Sequence, residues 1–197
     1  MRPASLPASP IADLRTVELD VADAPLLQAF FEANQDYFET VQGEPPVPGQ
    51  ARDELAGRPP EGMPYSHCRH LGHVDAQGRL AAYAGVIAGL LAPEVCHVGL
   101  FIVDAGRHGR GDAAALYDSL EDWARRQGAA WMRLGVVVGN RRAERFWSRR
   151  GFVESRLREG IVMGRRVNTV RAMFKPLAGG TRQEYLALVA RDRVDAP

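Results

Sequence analysis

The passage that most restricts this chain is 95–113, where an apolar run enters a glycine-rich turn and continues directly as a helix. Val95–Val103 is strand-like, and the turn reads Asp104-Ala105-Gly106-Arg107-His108-Gly109-Arg110-Gly111-Asp112-Ala113. Gly111–Gln127 then sets Ala113, Leu116, Tyr117, Leu120, Trp123 and Ala124 on one helical face, with Gly128 as a stop. Small residues at 109, 111 and 113 let the backbone approach an anion and turn its N–H groups toward it. The positive end of the following helix adds to that attraction, and Arg107 and Arg110 supply mobile cations. Together these make a phosphate cradle. The loop lacks the Gly-Lys-Ser/Thr ending of a nucleotide P-loop, and the GxGxxG dinucleotide pattern is absent.

The rest of the chain is organised around this passage. Leu14–Leu19 alternates as a first strand, and 23–38 has the spacing of one amphipathic helix. Gly43–Pro64, with six prolines and four glycines, reads as a long loop with a helical turn at 50–56. His67–Val74 and Leu80–Leu91, joined by Asp75-Ala76-Gln77-Gly78, read as a hairpin. Met132–Val138 is a nearly all-apolar strand, and Asn140–Arg150 is a short helix with an Asn cap and Gly151 beyond its end. Phe152–Leu157 and Val167–Phe174 close the pattern as strands, and Thr181–Arg193 reads as a terminal helix. The expected division is a domain over 11–176, a flexible segment over 1–10 and a helical tail over 177–197.

At 197 residues the chain buries enough surface to need neither disulfides nor metal for stability. Cys68 and Cys96 form no framework, Met1–Pro10 lacks the apolar core of a secretory signal, and no apolar run is long enough for a membrane span. A cytoplasmic, membrane-free protein is the expectation. Residues 1–102 carry 6 basic and 13 acidic side chains, net −7, whereas 103–175 carry 16 and 8, net +8. A basic half suits an anionic cofactor and an acidic half a cationic amine; uneven surface charge alone explains the same counts. The overall charge of +1 argues against nucleic acid.

The run Leu100-Phe101-Ile102-Val103-Asp104, the Arg-His-Gly-Arg-Gly-Asp-Ala turn, and Asn140-x-x-Ala143-x-x-Phe146-Trp147-x-x-x-Gly151-Phe152 resemble the GNAT superfamily of N-acetyltransferases. That resemblance implies an α/β fold: a mixed, mainly antiparallel sheet with one splayed parallel strand pair, flanked by helices on both faces. It implies acetyl-CoA as co-substrate, held in the wedge between strands 95–103 and 132–138. Backbone groups of Phe101, Ile102 and Val103 would bind the pantetheine, and a strand N–H near Phe101 would stabilise the oxyanion. His108, Gly109, Arg110, Gly111, Asp112 and Ala113 would surround the pyrophosphate, with Asn140, Ala143 and Trp147 along the pantetheine arm. The acceptor would be a primary amine on a small molecule or protein, and a homodimer is left open.

Three positions depart from the family pattern. His108 stands for the usual Gln or Arg, Asp112 brings a carboxylate into the first helical turn, and Trp147 replaces a common Tyr. An indole N–H does not donate a proton at neutral pH. His97, eleven residues before His108, has a spacing resembling that of a Glu base in some members, and a histidine suits that task near neutrality. A partly buried strand histidine without chemistry is the competing reading. His67, His70 and His73 do not converge on one strand face, so no metal is expected. Tyr37, Phe38, Tyr65, Glu32, Asp36 and Glu39 are acceptor-pocket candidates, with core packing the alternative for the aromatics. A non-catalytic acyl-CoA-binding module is the competing function.

Overall fold

The computed structural model describes residues 5–196. Its seven strands are β1 (Arg15–Glu18), β2 (His67–Val74), β3 (Leu80–Ala88), β4 (Val95–Val103), β5 (Trp131–Val137), β6 (Val153–Met163) and β7 (Arg166–Pro176). Its six α-helices are α1 (Ala24–Ala33), α2 (Gln35–Gln42), α3 (Gln50–Ala56), α4 (Asp112–Arg126), α5 (Arg141–Arg149) and α6 (Arg182–Leu188). The strands form one sheet in the order β1-β2-β3-β4-β5-β7-β6. Every neighbouring pair is antiparallel except β4 and β5, which α4 connects as a crossover.

Side chains alternate across the sheet and build a core on each face. Tyr83 and Ile102 pack with Leu27, Phe30, Phe31, Ala51 and Leu55 of α1 and α3. Ala84, Val86, Leu134 and Val136 pack with Tyr117, Leu120 and Trp123 of α4 and Trp147 of α5. On the face away from α4, Trp131 and Phe174 meet Tyr185 and Val189 at the C-terminal end. Tyr185 stacks on Phe174 with ring centres 4.2 Å apart. Burying two such side chains contributes roughly 1.5–3 kcal/mol each, enough to hold a short helix to the sheet.

Two irregularities shape the middle of the sheet. Parallel pairing between β4 and β5 runs from Val95↔Trp131 to Val98↔Leu134 and stops, although both strands continue. Beside that point, Gly85 pairs with Leu100 and Val86 with Val98, leaving Gly99 as a bulge in β4. A bulge bends its strand and increases the local twist, so β4 turns away from β5 from Gly99 onward. Gly85 stands opposite it, where a Cβ would lie 2.8 Å from Glu54 Oε1 and 3.1 Å from Tyr83 Oη, so a larger residue would displace the Glu54 side chain.

Several expected elements change. The single helix over 23–38 is two, broken at Asn34, whose backbone leaves helical geometry. The closing strands extend into a long hairpin through Met163 and Arg166. The segment 1–10, expected to be flexible, is packed from Ser5 onward: Trp123 Nε1 donates to Ser5 O at 2.7 Å and Ser119 Oγ to Ala8 O at 2.6 Å. Residues 1–4 and 197 of the two expected terminal segments lie outside the described residues. Cys68 and Cys96 are free thiols.

Candidate active site

The gap between β4 and β5 opens into a cavity of about 300 Å³ lined by residues from both faces of the sheet. On the α4–α5 side its wall includes Phe101, Asn140, Ala143 and Trp147; on the other, Tyr37, Val41, His97, Arg133, Arg158 and Ile161. Beyond Val98 the β5-facing edge of β4 has no strand partner, so its alternate N–H and C=O groups face the gap. An extended ligand can add there as a strand would.

Next to that edge the glycine-rich turn is braced from several directions. Asn34 Oδ1 accepts from Ala105 N at 2.9 Å, which explains the break between α1 and α2, and Asp104 Oδ1 accepts from Gly106 N at 2.9 Å. His108 Nε2 donates to Val103 O at 2.8 Å, and its own amide donates to Ala105 O. His108 therefore holds the turn against β4, with its Nε2 and its amide both engaged. Arg107, expected to be a mobile cation, is fixed: Nη1 pairs with Asp112 Oδ2 at 2.8 Å and Nη2 with Asp13 Oδ2 at 2.5 Å. The carboxylate of Asp112 is thereby engaged by Arg107.

What remains open is the main chain. Gly109 and Gly111 have φ of +80° and +88°, with nothing within 4 Å of a Cβ built at either. Gly111 caps α4 without a side-chain hydrogen bond, so the first-turn amides of that helix lack a side-chain cap at this position. Arg110 is exposed and, among the described residues, without an ion-pair partner. This helix start presents its amides, and its nearest carboxylate is paired with Arg107, an arrangement that suits an anion.

Asn140 caps α5 by accepting from Ala143 N at 3.2 Å while lining the cavity. Trp147 is buried in an aromatic cluster, with ring centres 5.7 Å from Phe101, 5.1 Å from Tyr117 and 5.3 Å from Phe152. The partly buried Phe101 side chain packs against that cluster, and its backbone lies on the stretch of β4 beyond the pairing with β5.

His97 reaches the cavity in a state ill-suited to the base expected of it. Burial, then the neighbouring Arg133 charge, push its pKa down to about 3. Its Nδ1 is 3.3 Å from Arg133 Nη1. Arginine only donates, so Nδ1 must accept and the proton of the neutral ring sits on Nε2. His97 thus presents a donor to the cavity. Arg133 is itself buried and paired with Asp192 at 2.7 Å, and Tyr185 Oη donates to Asp192 Oδ2 at 2.6 Å.

Of the acceptor-pocket candidates, Tyr37 lines the cavity, Phe38 is buried in the core, and Tyr65, Glu32, Asp36 and Glu39 are exposed. Burial, with the Glu54 charge second, raises the Tyr37 phenol well above its ordinary value, so it stays neutral. His70 Nδ1 contacts Tyr83 Oη at 2.7 Å and His73 Nδ1 contacts Thr16 Oγ1 at 3.2 Å. Arg133, Asp192, Arg158 and Ile161 escaped the sequence reading. A lone arginine inside an apolar strand was the available signal for the first two, because a buried guanidinium requires a carboxylate somewhere.

A mixed, mainly antiparallel sheet with one splayed parallel pair, crossed by a glycine-started helix, defines the α/β class of the fold. Residues 27–152 match the model of the acetyltransferase (GNAT) family, and the chain belongs to that family. It is an N-acetyltransferase. Among solved structures, an acetyltransferase from Thermus thermophilus is similar at 20% identity and a TM-score of 0.65, covering 84% of this chain and 98% of that one. A GCN5-related N-acetyltransferase from Kribbella flavida is 25% identical, with a TM-score of 0.61 over 83% and 98%. The spermidine N-acetyltransferase from Vibrio cholerae, solved with CoA and spermine, is 19% identical, with a TM-score of 0.63 over 85% and 98%. Among curated proteins none matches the chain in sequence. Among the described residues no helix is long and apolar enough to cross a membrane.

Proposed function

We propose that acetyl-CoA is the donor, that its pantetheine lies along β4 from Gly99 to Val103, and that its pyrophosphate meets the amides of Gly109, Arg110, Gly111 and Ala113. The observation that carries this reading is the end of β4–β5 pairing at Val98 and Leu134, beside an anion-ready helix start. Asn140 and Ala143 flank the arm, and Trp147 forms an apolar wall near the thioester. Arg110 is the free side chain suited to the phosphates. His108, Arg107 and Asp112 hold the turn in shape.

The amine enters from the side of α2 and the β6–β7 hairpin. Its nitrogen attacks the thioester carbonyl, a C–N bond forms, the C–S bond breaks, and the products are the amide and the CoA thiol. A main-chain N–H of β4 near the Gly99 bulge stabilises the oxyanion, a fixed donor that need not reorganise. The amine's proton passes to solvent, because no Asp or Glu is among the cavity-lining residues described and His97 is held neutral with its free nitrogen protonated. The thiolate takes its proton from water, since the Trp147 indole is no acid. Two free thiols fit a reducing cytoplasm.

The test is thiol release from acetyl-CoA with a panel of primary amines, read beside mass spectrometry of the acetylated product. Amine-dependent release supports the reading. Binding of CoA with no turnover on any amine leaves the non-catalytic module instead.

A further inference from the structure

The acceptor side of the cavity carries charge that acetyl transfer itself does not use. Two arginines, Arg133 and Arg158, line it, and among the described residues no carboxylate does. Their situations differ. Arg133 is held on both edges, by Asp192 through Nε and Nη2 and by His97 through Nη1, so its charge is largely neutralised. Arg158 comes from β6 at a register shift between Arg158 and Ile161, the kind of bulge that re-aims a side chain. Its side chain is half-buried and, among the described residues, has neither an ion-pair nor a hydrogen-bond partner.

Its neighbours increase the imbalance. Arg156 donates to the carbonyls of Arg191 and Ala196, which carry no charge. Burial first, then Arg191, Arg133 and Arg156, disfavour the Arg158 cation, and Asp192 alone opposes them. Asp192 is already committed to Arg133 and Tyr185. A guanidinium partly withdrawn from water among other cations is costly without a counter-charge. Its planar fork fits a carboxylate in two parallel hydrogen bonds. A polyamine would meet the opposite of what it needs here.

We propose that Arg158 recognises an anionic group on the acceptor, and that the acceptor is a small amine which also bears a carboxylate, as an amino acid does. This inference rests on the acetyl-transfer reading and fixes its substrate class. Arg133, held by Asp192, positions His97 and forms the floor against which the acceptor packs.

The experiment compares amines matched except for the carboxylate, namely phenylalanine with phenethylamine and leucine with isoamylamine, plus spermidine, by kcat/KM for thiol release. In the parent at least one carboxylated member is favoured by about tenfold, the order of one charge-assisted pair. Arg158→Gln removes that preference by lowering kcat/KM for the carboxylated members with no fall for the decarboxylated amines, and Arg158→Lys restores part of it. Equal use of both members, a preference for spermidine, or a preference that survives Arg158→Gln overturns the proposal. Calorimetry of N-acetylphenylalanine and N-acetylleucine against CoA-saturated protein runs in parallel and needs no turnover. Binding that weakens about tenfold in Arg158→Gln supports the anion site even if no amine is acetylated, which would count against the transfer reading alone. No binding of either acid overturns the anion site.

Discussion

Arg107 Nη1 donates to Asp112 Oδ2 at 2.8 Å and so engages the carboxylate in the first turn of α4. An unpaired carboxylate in that first turn would occupy the amides itself and repel a diphosphate. Arg107→Ala is expected to weaken CoA binding by about tenfold, and Arg107→Ala with Asp112→Ala to regain most of the loss. Calorimetric titration of the three proteins with CoA checks this; equal affinity in the single variant contradicts it.

Gly111 stands at φ +88° with open space where a Cβ would go. Gly111→Ala therefore meets no clash and suffers only the left-handed backbone cost, roughly 1–2 kcal/mol. Denaturant melts of the variant are expected to show that loss, with weaker CoA binding as the amides shift.

His97 and His73 make stability depend on pH. Burial lowers their pKa from an ordinary 6.5 to about 3 and about 4. Between those values and 6.5 the unfolded chain binds protons that the folded protein refuses, so stability rises with pH across that window and is lost on acidification. Burial pushes the Asp192 carboxyl up, but the hydrogen bond and charge of Arg133 outweigh it and hold that carboxyl low, which adds loss toward the acid end. Thermal melts from pH 7 to pH 4 should fall less steeply for His97→Gln than for the parent. His97→Gln should also keep turnover within about threefold at pH 7, since the ring accepts no proton there.

Trp147 is a wall. Trp147→Phe keeps the aromatic cluster and should leave kcat within about threefold, less than one kcal/mol on the barrier. Trp147→Ala empties a buried site touching Phe101, Tyr117 and Phe152, at about 3–5 kcal/mol of stability. Steady-state kinetics and melts of both variants separate packing from chemistry.

Asp192→Asn strips the buried Arg133 of its counter-charge. A loss of about 3–5 kcal/mol is expected, accompanied by loosening of α6, whose Tyr185 hydroxyl shares that carboxylate. Hydrogen exchange over 182–192 reads the loosening directly.

The catalytic half was legible because its signals are local. β4 is bounded by Pro93 and the turn, α4 has a continuous apolar face, and α5 carries an Asn cap and a following glycine. The acceptor half was not, because tertiary partners decide it. Helical spacing runs through Asn34, whose side chain instead bonds Phe30 O and the Ala105 amide at the break. The polar, glycine-containing stretch 158–166 reads as loop until β7 pairs with it, so Arg158, Ile161 and Met163 stayed hidden. Arg133 lay in an apolar run with its partner at the far end of the chain. Fixed side chains were equally invisible: Arg107 and His108 look like free ligands in sequence and are braces in space.

Isothermal titration of the purified protein with CoA, beside ATP and NAD, reads whether the gap between β4 and β5, with the amides of Gly109–Ala113, holds the coenzyme. Saturable binding of CoA alone, abolished by Gly111→Pro, is the expected result; the absence of any heat with millimolar CoA would contradict the account.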